Sequence, residues 1–428
     1  MASAPPDHRS PLQGLVRASL TLVAGGALAQ ALPLLLGPLL TRLFSPPDFG
    51  HYHLFAAVAA NLAVVACARY EFALPLAADA DEAQALRVLA LRIAALVTVA
   101  SAVGAAGWWA WSREHWVVWL PLAVASAGLV SLATLWATRE QRFSALAASR
   151  VLQYGGAALA QAAAGVLGWG VTGLVVAPIA ATLLATLALR LPLGSAGLRW
   201  HALAAVARRH RQFPLLNTPH AFLGALQDTA SVALIAASLG PAAAGFWGLS
   251  LRYLKAPATL VGSAVSQALY PKLAAAGARP TLAARQALRR VMAALAALAL
   301  ALVAGLWALA PWAFAALFGE PWRAAGELAR ALALYIGLHF VAAPLAVVTM
   351  AWQAQAWALR LAVVGQVAFV AALAAGLHWG GLQGAGWAVS AAMAGYFGYY
   401  FWALATWPVS AHGPADEPMA AAGDNRAP

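Results

Sequence analysis

Cysteine is all but missing. Cys67 is the one thiol among 428 residues, and it lies in an apolar run. That excludes an intramolecular disulfide framework and any CxxC metal or redox motif. Charge is scarce as well. Acidic and basic residues together make up 9% of the chain, against 63% hydrophobic residues. Lysine is nearly absent, with 2 residues beside 24 arginines. This bias, with the abundant alanine, fits a GC-rich bacterial genome and carries no functional meaning. No connecting segment is long enough for a separate soluble domain. HExxH, DxD and Walker A patterns are lacking, as is a paired His/carboxylate cluster in an outer loop. No catalytic residue, metal site or other cofactor is therefore expected.

What fills the chain instead is apolar sequence. Twelve runs, at roughly 15–36, 50–68, 86–110, 116–138, 145–168, 171–191, 215–239, 244–269, 291–317, 328–350, 356–378 and 382–407, each approach or exceed the ~20 residues of a spanning helix. The runs are continuous rather than alternating, which selects helices over a barrel. The expected fold is an all-α polytopic membrane protein with twelve transmembrane helices in two six-helix bundles around a central cavity. The 18 tryptophans suit interfacial belts. The net charge of +12 does not indicate nucleic acid, because the cations alternate with the spans as topology determinants do. With the N-terminus inside, 20 cations fall on the cytoplasmic side and 4 outside, namely Arg42, Arg113, Arg323 and Arg330. Both termini are expected in the cytoplasm.

The division expected is a cytoplasmic N-terminal tail (1–14), a six-helix bundle (15–191), a linker (192–214), a second bundle (215–407) and a disordered tail (408–428). The polar Met1–Ser10 precedes an apolar run too long for a cleavable signal peptide. Leu198–Phe213 reads as a basic amphipathic helix lying in the interface. The halves also repeat. Phe44-Ser45-Pro46 followed by Gly50-His51-Tyr52 is echoed by Leu239-Gly240-Pro241 followed by Gly245-Phe246-Trp247, at an offset of 195 residues. Such a repeat implies halves related by an axis along the membrane normal. Gly25-Gly26, Pro33, Gly37-Pro38, Pro219, Pro257 and Pro344 interrupt spans and permit bending or close packing.

The residues that could carry function are those that oppose the pattern. Arg252 and Lys255 stand three apart inside one span, hence on one face. A cation at mid-bilayer costs at least ~2.5–3.5 kcal/mol, so such residues usually face a cavity, with snorkelling as the plainer alternative. Their sign suggests an anionic cargo. Asp228, beside Gln227, is expected inside the bundle, for coupling or for charge pairing. Asn217 and His220 stand near the start of the same span, where headgroup contact and ordinary helix–helix bonding are both open. Arg69-Tyr70-Glu71 interrupts a long apolar stretch; a helix continuing to Pro75 would put both charges in the inner leaflet. Arg42 ends the first span, at its outer rim. His339 is the weakest candidate for ligand contact.

Several of these segments resemble one family. Leu39-Leu40-Thr41-Arg42-Leu43-Phe44-Ser45-Pro46-Pro47-Asp48-Phe49-Gly50 is similar to the first-loop signature of bacterial polysaccharide-biosynthesis membrane proteins. So are Arg69-Tyr70-Glu71 with the acidic Asp79–Glu82 patch, Gly240-Pro241 through Trp247, Gly262 through Pro271, and Gly319-Glu320-Pro321-Trp322-Arg323-Ala324-Ala325-Gly326. The resemblance covers about residues 10–407. It points to oligosaccharide-lipid flippases of the O-antigen type, in the superfamily shared with multidrug exporters and the lipid II flippase. It implies alternating access and a cargo of undecaprenyl-pyrophosphate-linked oligosaccharide, with membrane lipids and polysaccharide polymerase machinery as further partners. It also implies a bacterial inner-membrane location. Arg69 and Arg252 become candidates for a cationic cavity, with Arg42, Lys255, Asn217 and His220 beside them for substrate and Asp228 and Glu71 for coupling or pairing. The alternatives are a cation-coupled multidrug antiporter of the same fold and a membrane glycosyltransferase or polymerase.

Overall fold

A computed structural model describes residues 26, 29–192, 194, 200–274 and 280–409. The expected tails (1–14 and all but the start of 408–428) and most of the first expected span lie outside these residues. Every element among the described residues is helical. Seven helices are long and apolar enough to cross a membrane, or eight if one bent pair counts as a single span. The chain is thus a multi-pass membrane protein. It parts into two compact units, one running to Gly248 with Leu317–Pro321, the other comprising Leu249–Ala316 and the chain from Trp322 onward. The first unit therefore runs on past the 192–214 linker.

In the first unit a short helix, α1 (Gly37–Leu43), leads into α2 (Pro46–Val65). The start of α2 is set by local chemistry. Ser45 caps it, its side chain accepting from the Asp48 amide at 3.4 Å, while the Asp48 carboxylate accepts from the Ser45 amide at 2.9 Å. Pro46 stands at the first helical position, where its missing N–H costs nothing. The helix ends near the close of the expected span 50–68 and does not continue to Pro75. Ala68 and Arg69 take left-handed backbone angles, and the chain resumes as a 3-10 turn, Tyr70–Leu76, bent by 52° from α2. Then come α3 (Ala80–Ser112) and α4 (Leu120–Arg139). The expected span at 145–168 is α5 (Phe143–Arg150) and α6 (Gly156–Val166) joined by one π turn, Val151–Gly155. Next are α7 (Gly170–Ala188) and the linker helix α8 (Trp200–Arg209). α9 (Thr218–Leu239) follows a further π turn, Phe213–Asn217. Two apolar clusters hold the unit: one gathers Leu74, Leu86, Leu132, Leu189 and Leu203, the other Phe55, Trp116, Val124 and Ile179.

The repeated motif proves to be a contact. α10 (Pro241–Ala274) begins where α2 is crossed. A Cβ on Gly50 would fall on the Pro241 carbonyl, and one on Gly245 would fall on the Pro46 carbonyl. The two copies thus press on each other reciprocally, the glycine of each on the proline of the other. One turn on, Gly248 lies against the His53 ring, and these two positions are again 195 apart.

The second unit takes α10 from Leu249 onward, with α11 (Leu282–Phe318), α12 (Arg323–Ala331), α13 (Ala333–Ala351) and α14 (Gln355–Ala405). The two expected spans 356–378 and 382–407 are the arms of α14. Gly380 (φ −145°) and Gly381 (φ 58°) break the helix between them, and the arms touch at Gly376 and Gly384. α12 rests on the second arm through Ser390, which donates to the Ala331 carbonyl at 2.7 Å. Ser250 ties α10 to α12 by donating to the Ala325 carbonyl at 2.9 Å.

Candidate functional site

The broken end of α2 assembles the first cluster. At Arg69 the left-handed backbone (φ 62°) ends one helix and starts the 3-10 turn, which carries Glu71 into the unit. Glu71 is 3% exposed. One of its carboxylate oxygens accepts from Ser131 Oγ at 3.5 Å; the other is buried with no hydrogen-bond partner. Arg69 lies close enough to act on Glu71 electrostatically, and its guanidinium stands 4.9 Å over the Phe72 ring. Its Nε is also buried without a partner. Such orphaned polar atoms cost of order 1–3 kcal/mol each and mark a place where a proton, ion or water fits.

Arg252 and Lys255 form the second cluster. They occupy one turn of α10 within the second unit, and both are half-buried. The Lys255 ammonium lies 6.0 Å from the centroid of the Tyr335 ring, at the edge of cation–π range. His339 lies one turn beyond Tyr335, the two rings 5.9 Å apart.

The remaining candidates stand apart from these clusters. Asp228 is exposed on α9 and makes no ion pair among the described residues. The same face is buried one to two turns later, at Ser231 and Ile235, so Asp228 sits where the packing ends. Among the described residues the buried carboxylates are Glu71 and Glu82, and Asp228 is not one of them. Asn217 is exposed at the end of the π turn before α9. It is eleven residues from Asp228, about 16 Å along a helix. His220 is on α9, but its side chain lies outside the described residues. Arg42 is exposed in the last turn of α1.

Two cations that the sequence presents only as topology determinants are built into the first unit. Arg139 donates to the carbonyls of Leu74, Ala77 and Asp79 at 3.1, 2.7 and 2.9 Å, which closes the end of the 3-10 turn. Arg87 is 4% exposed, lies 5.4 Å over Trp136 and donates to the Gly194 carbonyl at 3.0 Å. The linker helix is anchored in the same region. Leu203 is 1% exposed, Tyr70 donates to the Ala207 carbonyl at 3.2 Å, and Glu82 receives both Arg209 (3.2 Å) and His210 (3.0 Å). No local signal could reveal these roles, because each partner is 49 to 137 residues away. The acidic Asp79–Glu82 patch is the nearest hint.

This arrangement is that of a known transporter architecture. The chain is similar to a multidrug resistance transporter of the MATE family in an inward-facing conformation, at 16% identity and TM-score 0.62, over 88% of this chain and 95% of that one. It is similar to the lipid II flippase MurJ in an inward closed conformation, at 10% identity and TM-score 0.68, over 92% and 88%. A MOP-superfamily transporter from Pyrococcus furiosus, with a binding pocket of reverse polarity, matches at 15% identity and TM-score 0.52, over 92% and 97%. The fold is thus that of MOP-superfamily transporters. The chain belongs to the polysaccharide biosynthesis protein family, whose model matches residues 39–327. No curated protein matches it significantly.

Proposed function

We propose that this protein is an alternating-access flippase. Its cargo is an undecaprenyl-pyrophosphate-linked oligosaccharide, carried from the inner to the outer leaflet of the bacterial inner membrane for polysaccharide or O-antigen synthesis. The observation that carries the reading is the Arg252–Lys255 pair, two half-buried cations on one turn of a 34-residue helix that covers the expected span 244–269. A diphosphate headgroup cannot cross hydrocarbon unaided. Arginine stays charged and grips phosphate oxygens bidentately. The fold alone does not choose the cargo, since it serves a multidrug transporter, the lipid II flippase and a pocket of reverse polarity. The positive sign of the Arg252–Lys255 pair supports an anionic cargo, and family membership agrees.

The reading includes twelve spans in two six-helix bundles, with both termini cytoplasmic. Arg69, Arg42, Asn217 and His220 are headgroup contacts in it, and polysaccharide polymerase machinery receives the product. Glu71, with its unpartnered oxygen, and Asp228 serve coupling or charge pairing.

The test is flipping of labelled undecaprenyl-pyrophosphate oligosaccharide by the purified protein in liposomes. Arg252→Gln should lower the rate by ~10-fold or more, the loss of about 1.4 kcal/mol per decade, while Arg252→Lys retains part. A wild-type rate in a well-folded Gln variant removes Arg252 from the site. Export of cationic drugs instead would favour the antiporter, and formation of new glycosidic bonds the glycosyltransferase or polymerase.

A further inference from the structure

The two arms of α14 leave a groove of about 500 Å3 on the second unit. This is within the ~300–1,000 Å3 common for small-molecule sites. Its walls change character along their length. Toward the Gly380–Gly381 turn they are Val364 and Ala368 on one arm, with Ala392 and Gly395 on the other. At the opposite end stand Trp357, Arg360 and Tyr399. Trp357 is held by stacking on Tyr400, with ring centroids 6.0 Å apart and planes 13° apart. Arg360 is exposed, has no hydrogen bond or ion pair with any described residue, and shares the groove with no carboxylate.

We infer that this groove is a binding site for an anionic glycerophospholipid, its phosphate at Arg360 and one acyl chain between the arms. Length, charge and position support the same occupant. From Trp357 to Ala368 the first arm rises about 16 Å at 1.5 Å per residue. One leaflet of a ~30 Å hydrocarbon core is about 15 Å deep. The groove thus takes one leaflet's length of chain, and no more, in the leaflet on the side of Gln355 and Ala405. An undecaprenyl chain is far longer than this. Tryptophan and tyrosine beside the cation suit the headgroup level, where aromatic residues anchor membrane helices. Arginine near a helix end reaches that level and presents a fork that matches phosphate oxygens. A zwitterionic headgroup would bring its own cation to Arg360, which selects a lipid of net negative charge. The site is independent of the cargo assigned above.

Native mass spectrometry of the full chain released from nanodiscs tests this. The bilayers would hold phosphatidylglycerol, phosphatidylcholine or a small fraction of undecaprenyl phosphate. One phosphatidylglycerol should be retained, with ~10-fold preference over phosphatidylcholine. Arg360→Gln should abolish that preference, and Arg360→Lys should keep part of it. Gly395 faces open space in the groove, so Gly395→Leu should fill it and expel the lipid without a clash. Melting in lipid-free detergent should match wild type for Arg360→Gln and should not fall below it for Gly395→Leu, which replaces a helix-interior glycine. Retention unchanged in Arg360→Gln overturns the inference, as does equal retention of the two phospholipids. Retention of undecaprenyl phosphate in place of phosphatidylglycerol also overturns it.

Discussion

Arg139 carries a structural duty that its neighbours in sequence do not announce. Its guanidinium supplies donors to three carbonyls at the end of the 3-10 turn, two of which, Leu74 and Asp79, also accept from the Ala77 and Ala83 amides. Arg139→Ala removes a charged donor from all three. The expected cost is about 2 kcal/mol, the scale of hydrogen bonds to a charged group in a half-buried setting. Arg139→Lys should recover only part, because an ammonium lacks the fork. Thermal melting in detergent reads both, and no loss in the Ala variant would refute the role. A second residue-scale test lies in the α14 hairpin. Gly381 (φ 58°, ψ −145°) occupies a region closed to side chains, whereas Gly380 (φ −145°) does not. A Cβ at either meets nothing within 4 Å, so sterics with neighbours cancel from the comparison. Gly381→Ala should therefore destabilise by ~1–3 kcal/mol and Gly380→Ala by much less. Equal melting points would show that the turn relaxes freely.

At the scale of elements, α2 and α10 begin with the same device and cross there. Each starts with proline and carries glycine four residues on, and each glycine makes room for the other helix's first carbonyl. Backbone cannot yield as a flexible side chain can, so a methyl here must push the helices apart. Gly50→Ala and Gly245→Ala should each lower folded yield sharply and melt well below wild type. Gly104→Ala, in a helix interior with open space around it, should gain up to ~1 kcal/mol. Size-exclusion profiles and melting curves of the three variants decide it; wild-type behaviour of Gly50→Ala would mean that the crossing is loose.

For the whole molecule the open question is orientation. The cation count predicts Ser112–His115 and Gly319–Arg323 outside and Arg279–Arg285 inside. The native thiol is no obstacle, since Cys67 is 1% exposed, its Sγ 3.6 Å from the Gly128 carbonyl. Single cysteines at Ser112→Cys and Arg323→Cys should react with a membrane-impermeant maleimide added outside, and Ala283→Cys should not. The opposite pattern would invert the molecule and, with it, the direction of transport proposed.

Local sequence by itself determined the helices. Runs of apolar residues long enough to span a bilayer can satisfy their backbone there only as helices, so most boundaries were legible to within a few residues. It also determined where the pattern is violated, at Arg69-Tyr70-Glu71 and Arg252-Lys255, because a charge in an apolar run is costly wherever it finally points. The α14 break was legible as the gap between the expected spans 356–378 and 382–407. Tertiary structure decided the rest. That Glu71 is buried while Asp228 is exposed depends on which faces are covered, and both lie in apolar runs. That the end of the 3-10 turn is held by Arg139 depends on a residue 60 or more positions later in the chain. That the repeat is a crossing, and that the cations at Arg87 and Arg139 hold backbone rather than merely set topology, follows from packing between segments far apart in the chain. Periodicity records what a residue prefers; only the assembled neighbours determine what it touches.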